Sequence, residues 1–135
     1  ITPHIGEFAR MIGIPREKVE EDPIGFAELW AKKLKCNILL KGPTTIITNG
    51  DVTFFNTIGN PNLATAGSGD VLTGIIASLI AQGCDVLPAA ALAAYLHSKI
   101  GEYFATKYAS RGLTASKMVD LIEVIYNELE REQEL

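Results

Sequence analysis

The 135-residue sequence predicts an α/β protein. Apolar residues recur at helical spacing in five stretches, and a short apolar run and a β-branched, aromatic run lie between the second and the third. One strand and one hairpin make a small sheet for so many helices, because a parallel sheet needs several buried strands. We therefore expect further strands of the same domain upstream, so that residues 1–135 form its C-terminal part.

The predicted helices are bounded by residues that favour helix ends. Gly13 and Gly83 follow the first and the third helix, while Pro23 and Pro88 begin the second and the fourth. Thr114 precedes the last helix as a plausible N-cap. The predicted helices cover residues 6–13, 23–35, 71–82, 88–108 and 114–132.

Two segments between the second and third helices predict strands. The run CNILLKG at residues 36–42 is too short for a helix and indicates a buried strand. In TTIITNGDVTFFN, residues 44–56, two strand-like runs flank Asn49-Gly50. Asn-Gly supplies the positive φ angles of a tight turn, so this segment predicts a β-hairpin.

The composition indicates a soluble, globular protein. Hydrophobic residues make up 47% of the chain and charged residues 21%, with a formal net charge of −4. This acidic balance provides no basic stripe for nucleic acid, and no apolar run reaches transmembrane length. The chain opens at Ile1 without a signal-peptide pattern, and Cys36 and Cys84 lie far apart in apolar surroundings. We expect two reduced, buried thiols and a cytoplasmic location.

A glycine-rich turn precedes the third predicted helix. In NLATAGSGDVLTG, residues 62–74, small residues give way to an apolar run, and Asp70 stands at the junction. The unpaired N–H groups at a helix N-terminus attract anions, so the turn could hold a phosphate beside the Asp70 carboxylate. The same residues are also common as a helix cap, and the spacing alone leaves both interpretations open.

Four motifs in order resemble the ADP-dependent NAD(P)H-hydrate dehydratases of the ribokinase-like superfamily. The longest is GNPNLATAGSGDVLTGIIASLIAQG, which is similar to the anion-hole signature of that superfamily. The others are TPHIGEFARMIG at the start of the chain, LLKGPTTIITNGD after the predicted strand and SRGLTASKMVDLI near the end. The resemblance covers nearly the whole chain and corresponds to the second part of the family's domain.

This resemblance implies a fold and an activity. The fold would be a three-layer α/β/α domain with a mostly parallel central sheet flanked by helices. The activity would restore NADH or NADPH from the form hydrated at C6 of the nicotinamide ring, with ADP, or ATP as an alternative, as phosphoryl donor and Mg²⁺ as companion of the nucleotide. Phosphorylating the poor hydroxyl leaving group first requires a base and donors that stabilise the transferring phosphoryl group.

The resemblance also implies roles for individual residues. Asp70 would be the catalytic base and would contact the hydrate together with His4, although His4 by sequence could equally be a satisfied loop residue. Gly69 would contact the nucleotide as well as the anion. The KGPTT segment would meet the nucleotide at the carboxyl end of a strand, with a strand terminus and an exposed lysine as the plainer interpretation. The nucleotide-binding set is Lys41, Gly42, Pro43, Thr44, Thr45 and Gly69, and the anion hole comprises Ala66, Gly67, Ser68 and Gly69.

Other polar residues give weaker indications. Asn60 and Thr65 are secondary candidates for the phosphate region. His97 is interpreted as a packed helix residue, and Glu7 and Arg111 as residues that fix a loop or cap a helix. No cluster of carboxylates suggests a metal site built by the protein.

Three functions are compatible with these motifs. The first is the dehydratase, with hydrated NADH or NADPH and ADP as ligands, an NAD(P)H-hydrate epimerase as functional partner or fused domain, and a homo-oligomeric assembly. The second is a small-molecule kinase of the same superfamily, with Asp70 in the same role. The third is a non-catalytic nucleotide-binding module, against which a carboxylate beside a phosphate site argues. The TPH and KGPTT segments favour the first.

Overall fold

The computed structural model describes residues 1–133 and has three layers. Its three-stranded sheet has the order β1-β2-β3 with antiparallel pairing throughout. The strands are β1 (Ile38–Leu40), β2 (Thr45–Thr48) and β3 (Thr53–Asn56). The helices are α1 (Ile5–Ile12), α2 (Arg16–Glu21), α3 (Pro23–Leu34), α4 (Ser68–Ala81), α5 (Val86–Lys107) and α6 (Ala115–Gln133), with a 3₁₀ turn at Pro61–Leu63.

Strands β1 and β2 are buried on both faces of the sheet, whereas Phe54 and Phe55 of β3 are exposed. Ile38, Leu40 and Ile46 pack in one apolar core with helices α1 to α3, whereas Leu39 and Ile47 pack in a second core with α4, α5 and α6. Alternate residues of a strand point to opposite faces, which explains why both strands are apolar at every central position. This arrangement is the α/β/α layering that the family resemblance implies.

Parallel pairing occurs at the start of the chain. Ile1 O accepts from Leu39 N–H at 2.9 Å, and Pro3 O accepts from Lys41 N–H at 2.8 Å. A parallel bridge then joins His4 to Lys41. The opening segment therefore lies beside β1 as an additional, parallel strand. In such a ladder the backbone groups of the intervening Thr2 point away from β1, toward the open edge of the sheet.

Most predicted helices are confirmed, with small shifts at their ends. Gly13 adopts the left-handed conformation after α1, at φ 71°, and Thr114 Oγ1 accepts from Lys117 N–H at 3.3 Å as the cap of α6. Helix α4 begins at Ser68, three residues before the predicted start, so that Asp70 lies in its first turn. The short helix α2 is not predicted, because its six residues are too few to show a helical period. Residues 134 and 135 lie outside the described residues.

The predicted hairpin is confirmed by the antiparallel pairing of β2 with β3, but the conformation of its turn and the burial of the two thiols differ from the predictions. In the hairpin, Gly50 alone has a positive φ, because the Asn49 side chain accepts from the N–H groups of Asp51 and Val52 and builds the turn one residue later. Cys84 is exposed and Cys36 is half-buried, and both are free thiols. Cys84 follows the end of α4 in a connecting loop, and such loops run over the surface.

The helices of residues 1–133 contain no segment that is both long and apolar enough to cross a membrane.

Candidate active site

One cavity of about 590 Å³ gathers residues from most of the predicted motifs. It lies where β1 ends, β3 ends and α4 begins, which is where an α/β sheet places its ligands. Five of the six predicted nucleotide-binding residues line it, all except Thr44, together with His4 and Ser68. The secondary candidates Asn60 and Thr65 line it as well. Strand β3 and helix α5 contribute Asn56, Ala94, His97 and Ser98 to the wall.

The turn before α4 leaves donors available. Ser68 N–H bonds to Thr65 O at 3.2 Å, which closes a tight turn with Gly67 at φ 81°. Within residues 1–133, the N–H groups of Ala66, Gly67 and Gly69 have no hydrogen-bond acceptor. Of these, Gly69 lies at the cavity wall and Ala66 is exposed on the turn. The predicted anion hole thus contains three free donors, and its Ser68 N–H is already used.

Lys41 brings a positive charge to the same point. Its Nζ atom lies so close to Gly69 that a Cβ there would be 3.0 Å away. The side chain is half-buried and forms no ion pair within the described part of the chain. A cation beside an unpaired helix N-terminus is an arrangement that binds phosphate.

His4 and Glu7 form a capping box at the start of α1. Glu7 N–H donates to His4 Nδ1 at 3.1 Å, and His4 N–H donates to Glu7 Oε2 at 2.8 Å. The latter bond is the main cause of a lowered pKa of the Glu7 carboxyl. The prediction that Glu7 caps a helix is confirmed. The other ring nitrogen, His4 Nε2, lies 3.5 Å from Glu7 Oε1, and His4 borders the cavity.

Asp70 does not line this cavity. Its exposed side chain borders a separate groove of about 450 Å³ between α4 and α6, together with apolar side chains such as Ile75, Val119 and Ile122. Thr44 also lies outside the cavity, in a smaller pocket on the other side of the KGPTT loop. The structure therefore brings the predicted nucleotide residues together and places Asp70 at the outer side of the α4 N-terminus.

The opening strand connects the two regions. Thr2 Oγ1 lies 3.4 Å from Thr73 Oγ1 on α4, one turn after Asp70. Thr2 and His4 point to the same face of this extended segment, because side chains alternate along a strand. His4 borders the cavity at the start of α4, and Asp70 lies in the first turn of the same helix.

Residues that sequence reasoning assigned to structure or overlooked also contribute to the wall. His97 Nε2 is 2.9 Å from Ser68 Oγ, and Asn56 Nδ2 donates to Ala94 O at 3.0 Å and to Ser98 Oγ at 2.8 Å. The bonds of Asn56 to α5 could have been anticipated from the sequence, because a polar residue stands at the end of the predicted hairpin strand. Burial lowers the pKa of His97, and the nearby Lys41 charge acts in the same direction.

The loop after α5 is fixed by Asn62 instead of Arg111. Buried Asn62 donates to Ala109 O at 3.1 Å and accepts from Leu113 N–H at 3.3 Å. The exposed Arg111 guanidinium makes no hydrogen bond or ion pair with any described residue, so its predicted structural role is not seen within residues 1–133. An amide side chain both donates and accepts, so Asn62 can hold the loop at two points. It therefore has the structural role that the sequence assigned to Arg111.

Residues 1–133 contain no group of three His, Cys, Asp or Glu side chains that could hold a metal ion.

Comparison with known proteins identifies close relatives. The family model described as NAD(P)H-hydrate dehydratase matches residues 1–124. The bifunctional NAD(P)H-hydrate repair enzyme Nnr of Moorella thermoacetica is 43% identical over 136 residues, which is 99% of this chain and 26% of that protein.

Two solved structures share the fold. The ADP/ATP-dependent NAD(P)H-hydrate dehydratase from Bacillus subtilis, co-crystallized with ATP/Mg²⁺, superposes with a TM-score of 0.88 at 34% identity and covers 94% of this chain and 46% of that one. A ribokinase-like superfamily protein from Enterococcus faecalis superposes with a TM-score of 0.79 at 34% identity, over 93% of this chain and 43% of that one. The fold is therefore ribokinase-like, and the chain spans less than half the length of each of these relatives.

Proposed function

Because the chain belongs to the NAD(P)H-hydrate dehydratase family, we propose that it forms part of an enzyme that dehydrates the (6S)-hydrate of NADH or NADPH at the expense of ADP. The hydrate hydroxyl attacks the terminal phosphorus of ADP, AMP leaves and the hydroxyl proton passes to a base. The phosphate ester then eliminates: the C–O bond breaks, phosphate departs and a ring proton is lost. NAD(P)H, AMP and phosphate are the products.

The convergence of Lys41 and Gly69 carries this proposal. The ammonium group and the free Gly69 N–H meet at the cavity wall, where together they would bind the phosphates of a nucleotide. The KGPTT loop, from Lys41 to Thr45, borders the same cavity through Gly42, Pro43 and Thr45. We infer that ADP lies along this loop with its terminal phosphoryl group at the start of α4.

Asp70 would then act as the base. A carboxylate in the first turn of α4 lies beside the phosphoryl position, and its outer side is open to a second substrate. His4, at the same end of the helix, would present its imidazole to the hydrate. We propose that the hydrate binds over the N-terminus of α4, between these two side chains.

The other wall of the hydrate site would come from an upstream part of the same domain. The unpaired edge at Thr2 can accept a further parallel strand, and the apolar groove at Asp70 can accept a helix or loop that packs on it. We infer that residues 1–135 are the C-terminal part of one domain on these grounds. Small residues at 89–94 on α5 are mostly buried within the chain, so a homo-oligomer would use another surface.

The phosphoryl donor and the metal are proposed from chemistry and relatedness. We propose ADP as the preferred donor, with ATP as a substitute, in line with the ADP/ATP-dependent relative from Bacillus subtilis. Mg²⁺ would enter with the nucleotide, held mainly by phosphate oxygens and neutralising their charge. An epimerase activity is a fitting partner, because the Moorella relative is a bifunctional repair enzyme.

The direct test uses the protein that carries this chain and the rest of its domain. It is incubated with hydrated NADH, Mg²⁺ and either ADP or ATP, and the recovery of NADH absorbance is followed together with AMP by chromatography. Equal amounts of NADH and AMP are expected with ADP. Preference for ATP by an order of magnitude would contradict the donor assignment. Phosphorylation of a vitamin precursor or sugar alcohol without NADH recovery would favour the small-molecule kinase.

A further inference from the structure

A buried hydrogen bond joins the start of α4 to the middle of α5. Ser68 Oγ and His97 Nε2 lie 2.9 Å apart, and the two residues are 4% and 8% exposed. Both side chains border the cavity that holds Lys41 and Gly69. Burying two polar groups is unfavourable unless they are paired, and this bond supplies the pairing.

The bond holds a residue in the first turn of α4. Ser68 follows the N-cap residue Gly67, which has no side chain and therefore leaves the helix without a side-chain cap. The Ser68 hydroxyl is paired with His97 on another helix. The Gly69 N–H has no acceptor within residues 1–133 and is available to a ligand.

The imidazole of His97 is held in its neutral form beside the charged Lys41. Burial and the charge of Lys41, the charged group that faces His97 from the end of β1, both lower the pKa of the imidazole. A neutral imidazole forms one hydrogen bond as a donor or an acceptor at Nε2 and leaves the positive charge of the site on Lys41. Ser68 from α4 is the polar group that it contacts directly.

We propose, on the basis of the nucleotide site proposed above, that His97 is a positioning residue. Its hydrogen bond to Ser68 fixes the first turn of α4 so that the Gly69 N–H and the Lys41 ammonium point to one phosphoryl group. Without the imidazole, the Ser68 hydroxyl loses its partner on α5, and the first turn of α4 is held less firmly in this position.

The test compares five variants of the protein with its complete domain: His97→Ala, His97→Gln, Ser68→Ala, the double variant His97→Ala/Ser68→Ala, and Thr48→Val as control. Thr48 is fully buried and hydrogen-bonded in the β-hairpin, outside the cavity. Isothermal titration gives the dissociation constant for ADP, steady-state kinetics give kcat and KM for hydrated NADH, and urea unfolding gives the stability of each variant.

His97→Ala is expected to weaken ADP binding about tenfold, the upper range for one hydrogen bond, without raising KM for the hydrate. His97→Gln should restore most of the affinity, because its amide can reach the Ser68 hydroxyl. The double variant should bind ADP no more weakly than His97→Ala, because both changes remove the same bond. Thr48→Val should lower stability and leave ADP affinity unchanged.

The proposal is overturned if His97→Ala binds ADP as the wild type does, if His97→Gln gives no rescue, or if the two single effects add. Binding of ADP by a wild-type protein that fails to dehydrate hydrated NADH would refute the proposed function alone, and the affinity comparison would still decide the role of His97. A wild-type protein that binds neither ADP nor ATP would overturn both proposals.

Discussion

The Lys41 Nζ atom lies 3.0 Å from the position that a Cβ atom on Gly69 would occupy. A side chain at Gly69 would crowd the ammonium group where it reaches the first turn of α4. Two distant motifs, the end of β1 and the glycine-rich turn, are joined at this contact. The charge on one side and the free N–H on the other would act on the same phosphate.

Replacing Lys41 by Met should weaken ADP binding about 10- to 100-fold, the range for a hydrogen bond to a charged group. The apolar stem is retained, so the free energy of unfolding should change little. Lys18→Met is a matched control, because Lys18 is an exposed lysine on α2 outside the cavity. Titration calorimetry with ADP measures both. Equal affinities for the two variants would remove Lys41 from the nucleotide site.

Replacing Asp70 by Asn should lower kcat by about 10²–10⁴-fold, the usual contribution of a general base. ADP affinity should be preserved or improve, because a negative charge near phosphate is removed. Asp85→Asn is the control, since Asp85 is an exposed carboxylate at the N-terminus of α5. Both variants lose a similar favourable interaction with a helix dipole. If Asp70→Asn keeps most of its turnover, Asp70 serves the helix and not the reaction.

Replacing Gly67 by Ala should lower both stability and ADP affinity. Gly67 has a φ of 81°, and a Cβ there would lie 3.0 Å from the Ala115 Cβ at the start of α6. Gly13→Ala is the control for the cost of the positive φ alone, because Gly13 has a φ of 71° and no neighbour within 4 Å of its Cβ position. The left-handed conformation costs about 1 kcal/mol in both variants. Urea unfolding should show a larger loss for Gly67→Ala, and equal losses would exclude a steric role for Ala115.

Local signals predicted the helix ends and the strands of this chain. Gly13 and Thr114 act within a few residues of the helices that they bound, so their chemistry can be read from the sequence. Asn49 shows the limit of prediction from local sequence. Its side chain accepts from the N–H groups of Asp51 and Val52, and the turn therefore lies one residue later than predicted. The exposed Cys84 shows another, since hydrophobic residues near it in sequence do not cover it in space.

The motifs predicted the composition of the cavity better than its geometry. His4, Lys41 and Gly69 meet as their motifs indicate. The direction of Asp70 away from the cavity and the bond from Ser68 to His97 depend on how α4 is rotated against α5. That rotation is set by packing over residues far apart in sequence, so no local pattern reports it.

Acidification should destabilise the protein partly through His97. Burial lowers the pKa of this imidazole in the folded state, so the unfolded chain binds the proton more readily. Stability is therefore full above the unfolded pKa of about 6.5 and falls as the pH drops below it. The free energy of unfolding of wild type and His97→Gln, measured from pH 8 to pH 5, should diverge in slope below about pH 6.5, with the wild type steeper. Parallel curves would contradict a neutral buried His97.

Residues 1–135 produced alone should fold poorly. Ile1–Pro3 supply an unpaired sheet edge, and the groove at Asp70 exposes apolar side chains such as Val119, which is 55% exposed. Such an edge and such a groove favour association between chains. We expect a broad thermal transition and concentration-dependent size in solution. The protein with the preceding βα segments is the control, and it should unfold sharply, because those segments would cover both surfaces. A monomer of residues 1–135 with a sharp, cooperative transition would show instead that this part is stable without them.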